Sequence, residues 1–76
     1  MSDVRFTVTS DSYRESGNRG DAVQAWQTAR ESAIKKCFDH HPTEPVTITV
    51  GKREITAMNR ANLIYEVDRQ IRDAKR

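Results

Sequence analysis

Residues 46–57 read VTITVGKREITA, and this stretch decides the fold. Valine and isoleucine alternate with threonine up to Gly51-Lys52, and apolar and polar residues alternate again after it. This alternation is expected for two strands that each bury one face. Glycine at the first central position suits a two-residue type II′ turn. This turn places the following residues opposite each other: Val50 and Arg53, Ile48 and Ile55, Val46 and Ala57, Thr47 and Thr56, Thr49 and Glu54. The pattern predicts this register, because a shift of one residue would separate the apolar pairs.

The sequence before the hairpin predicts a helix over residues 21–38. Asp21 is a suitable N-cap, and Gln24 follows three residues later. Apolar residues then recur at intervals of three and four, which indicates an amphipathic helix that packs on the hairpin. They are Ala22, Ala25, Trp26, Ala29, Ala33 and Cys37. We expect Trp26 in the core, and Pro42 and Pro45 end the helix because residues before proline avoid the helical region.

A second helix is predicted after the hairpin, over residues 59–75. Either Thr56 or Asn59 can cap it. Its apolar stripe comprises Leu63, Ile64, Val67, Ile71 and Ala74. Lys75 and Arg76 complement the negative end of the helix dipole.

The N-terminal part combines a predicted strand with a predicted loop. Residues 4–9 alternate apolar and polar side chains, which indicates a strand. Residues 10–20 contain glycines, serines and asparagine, which favour a long loop. Tyr13 has no apolar neighbour there, so we predict that Tyr13, Arg14 and Arg19 form a contact loop. The 76 residues are therefore expected to form one two-layer α+β domain of order β-α-β-β-α.

Composition restricts the class of protein. The single cysteine cannot form an intramolecular disulfide, which is compatible with a reducing compartment. The N-terminus lacks the basic and apolar regions of a signal peptide, and no apolar stretch has the length of a membrane span. We therefore expect a soluble, intracellular protein.

Charge gives only mild support for nucleic-acid binding. Residues 1–51 carry six basic and seven acidic side chains, whereas residues 52–76 carry seven and four. The basic residues of the second part are Lys52, Arg53, Arg60, Arg69, Arg72, Lys75 and Arg76. Because acidic residues interleave with them, a solvated helix face explains most of this pattern, and DNA contact is the weaker alternative.

The only cluster that resembles a metal or nucleophile site is Cys37, His40 and His41. A structural zinc site needs four ligands, and these are the only cysteine and the only histidines of the chain. A Cys-His nucleophile would need a third orienting group and a pocket. The sequence therefore predicts no metal site, no cofactor and no catalytic residues.

From Asp21 onward, the chain resembles the head-completion protein W family of tailed phages. The likeness lies in VTITVGKREITAMNRANLIYEVDRQI, residues 46–71, which combine a strand, a tight glycine turn, a basic residue opening the return strand, a Thr-Ala step and a helix. The preceding AVQAWQTARESAIKKC fits the first helix of the family. The predicted strand and loop at 4–20 lie outside the resemblance, and the C-terminal residues are expected to end with the second helix, whereas an extended tail matters in the family.

The resemblance implies a non-enzymatic protein that binds the portal end of a DNA-filled head and supports the next joining protein, as a ring of copies in the virion. It implies contacts through Lys52, Arg53, Arg72, Lys75 and Arg76. An alternative is a phage-encoded inhibitor of a host defence system, similar to anti-CRISPR proteins in size and in its mixture of elements. The strand at 4–9 and the polar loop suit this alternative better. A small DNA-associated accessory protein is the third interpretation.

Overall fold

The computed structural model describes residues 3–75 and has the element order β-β-α-β-β-α. The described chain forms the following elements: β1 (Val4–Thr9), β2 (Arg14–Arg19), α1 (Ala22–Ser32), a π-helical segment (Ala33–Phe38), β3 (Val46–Val50), β4 (Arg53–Ala57) and α2 (Arg60–Ala74). The strands form one antiparallel sheet in the order β2-β1-β3-β4. Both helices pack on the same face of the sheet, which confirms the predicted α+β class. No helix in the described range has both the length and the apolar character needed to cross a membrane.

The β3–β4 hairpin has the predicted register throughout, from Val50 opposite Arg53 to Val46 opposite Ala57. Gly51 has a φ of 58°, and no other residue in the described chain has a positive φ. Lys52 therefore has a negative φ, as a type II′ turn requires. The local pattern was sufficient here because the turn and both strands lie within twelve residues.

The prediction of a loop over residues 10–20 was wrong, because Arg14–Arg19 forms the strand β2. β2 pairs with β1 along its whole length, and only residues 10–13 connect them. Its sequence, RESGNR, has no apolar alternation because an edge strand buries little of its own surface. Gly17 lies against the ring of Phe6, where a Cβ atom would come within 3.0 Å of two ring carbons. Backbone pairing with β1 therefore makes this segment a strand.

The core lies between the sheet and the helices. Trp26 is 1% exposed, which confirms its predicted place, and the alanines of α1 let the helix approach the sheet closely. The largest fully buried side chains are Trp26, Phe6, Ile48, Leu63, Val8, Val46, Val67 and Cys37. Burial of each large apolar side chain contributes about 1.5–3 kcal/mol, so this cluster dominates the stability of so small a domain.

Both helices begin at the predicted caps. The carboxylate of Asp21 accepts a hydrogen bond from the backbone N–H of Gln24 at 2.8 Å, and Asn59 caps α2 in the same way through Asn62. The first helix continues to Phe38, but its last six residues are π-helical. The wider turn brings Cys37 and Phe38 together into the core.

The opposite face of the sheet is open to solvent and polar. It carries Arg5, Thr7, Thr9, Arg14, Ser16, Asn18, Thr47, Thr49, Glu54 and Thr56. Threonine is favoured in strands, so this composition is typical of a solvated sheet face. The exposed large apolar side chains of the described chain therefore lie on the side of the helices and not on this face of the sheet.

Candidate protein-binding surface on helix α2

Large exposed hydrophobic side chains are concentrated at the start of α2. In residues 3–75 they are Met58, Ile64 and Tyr65, which are 59%, 38% and 59% exposed. The buried residues of α2 are Leu63, Val67 and Ile71, so Tyr65 lies on the opposite side of the helix. Arg69 and Arg72 follow Tyr65 at intervals of four and three, which places them on the same side. We call Met58, Ile64, Tyr65, Arg69 and Arg72 the α2 outer face.

The first turn of α2 is held in place by two asparagines. The side chain of Asn59 accepts a hydrogen bond from the backbone N–H of Asn62 at 2.8 Å. In return, the side chain of Asn62 accepts one from the backbone N–H of Met58 at 3.1 Å. These reciprocal bonds fix the chain on both sides of the cap. Met58 is therefore held beside the first turn of α2.

Ion pairs with other elements neutralise two acidic residues of α2. Arg30 of α1 lies 2.9 Å from Asp68, and Arg53 of β4 lies 3.2 Å from Asp73. The third, Glu66, lies 3.7 Å from Arg69. Within the described chain, the α2 cations with no ion pair are Arg60 and Arg72, and Lys75 follows the helix without one.

The α2 outer face is therefore basic as well as apolar. The guanidinium of Arg69 also lies over the ring of Tyr65, 5.9 Å from its centroid. Such a contact contributes about 0.5–1 kcal/mol at an exposed site. It holds an aromatic ring and a cation together on the exposed side of α2.

The predicted contact residues divide between two edges of the molecule. Arg53 donates hydrogen bonds to Gln70 and Asp73, so the hairpin tip lies beside the end of α2. Lys52, Arg53, Arg72 and Lys75 thus belong to the β4 side, whereas Arg76 lies outside the described residues. Tyr13, Arg14 and Arg19 belong to the β2 side, three strand spacings or about 14 Å away. The two predicted groups do not form one site.

Tyr13 packs against the core, contrary to the prediction that it has nothing to contact. Its hydroxyl donates a hydrogen bond to the carboxylate of Glu15, which also accepts one from the hydroxyl of Ser32 at 3.2 Å. The hydrogen bond to Glu15 and the burial of the ring raise the pKa of Tyr13 from 10.0 to about 12. Tyr13 therefore serves as a structural residue that joins β2 to α1.

This network predicts a pH-dependent contribution to stability. Because the folded pKa is raised, the contribution is complete below pH 10 and is lost as the pH rises through about 12. We expect Tyr13→Phe to reduce the free energy of unfolding by about 1–2 kcal/mol at neutral pH, with the difference from wild type shrinking above pH 10. Urea unfolding at increasing pH measures this, with Tyr65→Phe as the control. A difference that stays constant to pH 12 would contradict the assignment.

Cys37, His40 and His41 remain close along the backbone, but their side chains differ in burial. Cys37 is buried, and burial raises the pKa of its thiol, which disfavours the reactive thiolate at neutral pH. Both histidines are exposed, and His41 lies 3.7 Å from Glu44. Within residues 3–75, no three metal-ligating side chains of His, Cys, Asp or Glu lie close enough to hold an ion.

The sequence prediction missed Met58 and Ile64 as surface residues, and it did not assign Tyr65 to a contact site. Ile64 was assigned to the buried stripe, yet successive helix residues differ by about 100° in direction, so Leu63 and Ile64 cannot face the core equally. The spacing of Leu63, Val67 and Ile71 was the signal that could have placed Tyr65 outside. Comparison with protein-family models, with curated proteins and with solved structures finds no match for this chain.

Proposed function

We propose that this chain is a non-enzymatic adaptor that binds an acidic protein surface through the α2 outer face. The observation that carries the proposal is the clustering of all three exposed large hydrophobic side chains of the described chain within residues 58–65. Tyrosine, methionine and arginine are enriched in protein interfaces, and tyrosine and arginine are frequent hot spots. The α2 outer face combines all three types.

Charge defines the kind of partner. Arg30 and Arg53 neutralise Asp68 and Asp73, and Arg69 pairs with Glu66, so in the described chain Arg60 and Arg72 are the α2 cations that face solvent without an ion pair. An acidic surface with an apolar centre complements this arrangement, because charged residues at a rim steer association while apolar residues supply affinity. DNA would also attract these cations, but a phosphate backbone would leave Met58 and Ile64 without apolar contacts.

The resemblance to head-completion proteins suggests one setting for such an adaptor. The hairpin and α2, which carry the resemblance, also carry the α2 outer face. In this setting, the partner is a portal or joining protein, and the chain is a component of the virion. Lys52 at the hairpin tip would extend the contact.

A host defence complex is the second candidate partner. The observation that favours it is the β1–β2 hairpin, which supplies half of the sheet and lies outside the resemblance. An inhibitor of this kind would bind one host effector complex in the cytoplasm without entering particles. Both settings use protein–protein contact, and they differ in the partner recovered.

The proposal is tested by affinity capture from phage-infected and uninfected host cells, with the bound proteins identified by mass spectrometry. We expect Tyr65→Ala to weaken binding of the captured partner at least thirtyfold, equivalent to about 2 kcal/mol. Arg72→Glu should weaken it further in low salt. Gln27→Ala, an exposed change on α1, is the control, and each variant should keep its free energy of unfolding within about 0.5 kcal/mol.

The outcomes separate the alternatives. Recovery of portal and joining proteins only after infection supports head completion, whereas a host effector complex recovered without phage supports inhibition. Unchanged binding by Tyr65→Ala and Arg72→Glu excludes the α2 outer face. Capture of nucleic acid alone, with affinity falling steeply with salt, replaces the protein partner with DNA or RNA.

A further inference from the structure

The outer edge of β2 directs backbone groups to solvent, and one of them, the Asn18 carbonyl, accepts a hydrogen bond from Nη1 of Arg19 at 2.6 Å. β2 lies at the end of the sheet and pairs only with β1. At the turn, the backbone N–H of Ser10 donates to the carbonyl of Tyr13 at 2.8 Å. Because hydrogen-bonded and non-bonded pairs alternate in an antiparallel ladder, Glu15, Gly17 and Arg19 direct their backbone groups to β1. The backbone groups of Arg14, Ser16 and Asn18 consequently point away from the sheet.

The charges that this edge carries on the helix face of the sheet are arranged symmetrically about Gly17. Glu15 lies two residues before it and Arg19 lies two residues after it, and both side chains are on the helix face of the sheet. We propose that β2 pairs antiparallel with β2 of a second copy, centred on Gly17, and so joins two four-stranded sheets into one sheet of eight strands. Glu15 of each copy then lies opposite Arg19 of the other.

Backbone geometry is compatible with this register. With Gly17 opposite itself, Ser16 lies opposite Asn18 of the other copy, and these are the residues whose N–H and carbonyl groups point outward. The Glu15–Arg19 positions fall on non-bonded pairs, where opposite Cα atoms are about 4.5 Å apart and side chains are closest. Hydrogen bonds and charge complementarity therefore require the same register. A register centred on Ser16 instead places Glu15 opposite Gly17, with no ion pair.

The side chains that would meet are already held in place. The Arg19 guanidinium lies over the Phe6 ring at 5.3 Å from its centroid, and its Nε donates to the Thr28 hydroxyl at 3.1 Å. The Glu15 carboxylate is oriented by Tyr13 and Ser32. A groove of about 500 Å³ between β2 and α1 contains both charged groups. In the pair, the grooves of the two copies face each other, so the ion pairs would be partly shielded from water.

The other edge of the sheet lacks this symmetry. β4 runs Arg53–Ala57, and the register centred on Ile55 places Glu54 opposite Thr56 and Arg53 opposite Ala57. Arg53 is also engaged with Asp73 of α2. Charged residues on an edge strand usually prevent association. In β2, by contrast, the charged residues Glu15 and Arg19 lie where each meets the opposite charge of a second copy.

The pairing has a consequence for adaptor function, although it does not rest on the proposed function. α2 packs on β4, at the far edge of the sheet, so the paired molecule would present two separate α2 outer faces. Two faces on one particle raise the effective affinity for a partner that repeats. Pairing of the same edge on both copies is a closed interface that ends at two copies, whereas a ring needs two different surfaces.

The test uses sedimentation velocity and equilibrium across a wide range of protein concentration. The wild-type chain should approach twice its monomer mass of 8.7 kDa as the concentration rises. Arg19→Glu places glutamates opposite each other, and Glu15→Arg places arginines opposite each other, so each variant alone should dimerise at least about tenfold more weakly. An equal mixture of the two variants should associate again, because each residue then meets its opposite charge.

A backbone variant gives an independent readout. Ser16→Pro removes an N–H that points away from β1, and proline is tolerated at such positions of edge strands. It should abolish dimerisation, whereas Glu54→Pro, the equivalent change on β4, should leave it unchanged. Far-UV circular dichroism and Trp26 fluorescence check that each variant is folded.

The proposal is overturned by a monomer at every concentration, by a dimer that Arg19→Glu and Ser16→Pro do not weaken, or by a variant mixture that stays monomeric. A monomer that instead binds an acidic peptide would assign this edge to a different partner.

Discussion

Replacing Trp26 with alanine is expected to remove a large part of the protein's free energy of unfolding. Trp26 is 1% exposed and is the largest side chain in the core. Its removal should cost about 3–5 kcal/mol in transfer and cavity free energy. A domain of this length has a total stability of only about 4–11 kcal/mol, so the loss is a major part of it. The residual fold is best followed by circular dichroism during urea unfolding, because the chain has no other tryptophan to report fluorescence.

Trp26→Phe is the matched control for this prediction. Phenylalanine keeps an aromatic ring between α1 and the sheet, so a smaller cavity should remain and most of the stability should be retained. If Trp26→Ala unfolded at the same urea concentration as wild type, the placement of α1 over the sheet would be incorrect. Equal losses in both variants would instead indicate that the indole N–H, rather than the volume of the side chain, matters.

Leu63→Ala and Ile64→Ala are expected to have opposite effects on stability and binding. Leu63 is fully buried against the sheet, whereas Ile64 is 38% exposed. Leu63→Ala should therefore cost about 2–5 kcal/mol of unfolding free energy, which lowers the melting temperature by roughly 10 °C or more. Ile64→Ala should cost under about 1 kcal/mol, because much of its side chain remains in water when the protein is folded.

The binding measurement completes this comparison. The partner captured by the wild-type chain should bind Ile64→Ala more weakly while the variant remains folded. The remaining folded fraction of Leu63→Ala should bind normally, because Leu63 does not reach the α2 outer face. Thermal melts and binding of the captured partner, measured on the same samples, separate the two effects. Equal destabilisation by both changes would mean that the orientation of α2 differs from the one described.

Charge on the α2 outer face could be anticipated only in part. The sequence showed an excess of basic residues after position 51, and Arg72 and Lys75 were predicted as contacts. Acidic residues interleaved with them favoured a neutral, solvated face. The tertiary structure alters this balance, because Arg30 and Arg53 approach Asp68 and Asp73 from elements 38 and 20 residues away. No local spacing rule describes such pairs.

The sequence by itself determined the β3–β4 hairpin, the Asp21 cap of α1, the strand β1 and the buried position of Trp26, and it narrowed the cap of α2 to Thr56 or Asn59. Each depends on residues close in the chain: a turn that fixes a register, a side chain that bonds to a nearby backbone N–H, or an apolar repeat of period two or near 3.6. Such signals lie within short stretches of the chain, so they can be read without knowing which elements pack together.

Only the tertiary structure decided that residues 14–19 form the strand β2 and that Ile64, rather than Leu63, stays partly exposed. RESGNR has no strand pattern of its own, and it becomes a strand because β1 has a free edge whose hydrogen bonds must be satisfied. Likewise, α2 has apolar residues on more than one side, and the sheet selects Leu63, Val67 and Ile71 for burial. The remaining apolar residues stay in water because a two-layer domain buries only one face of each helix.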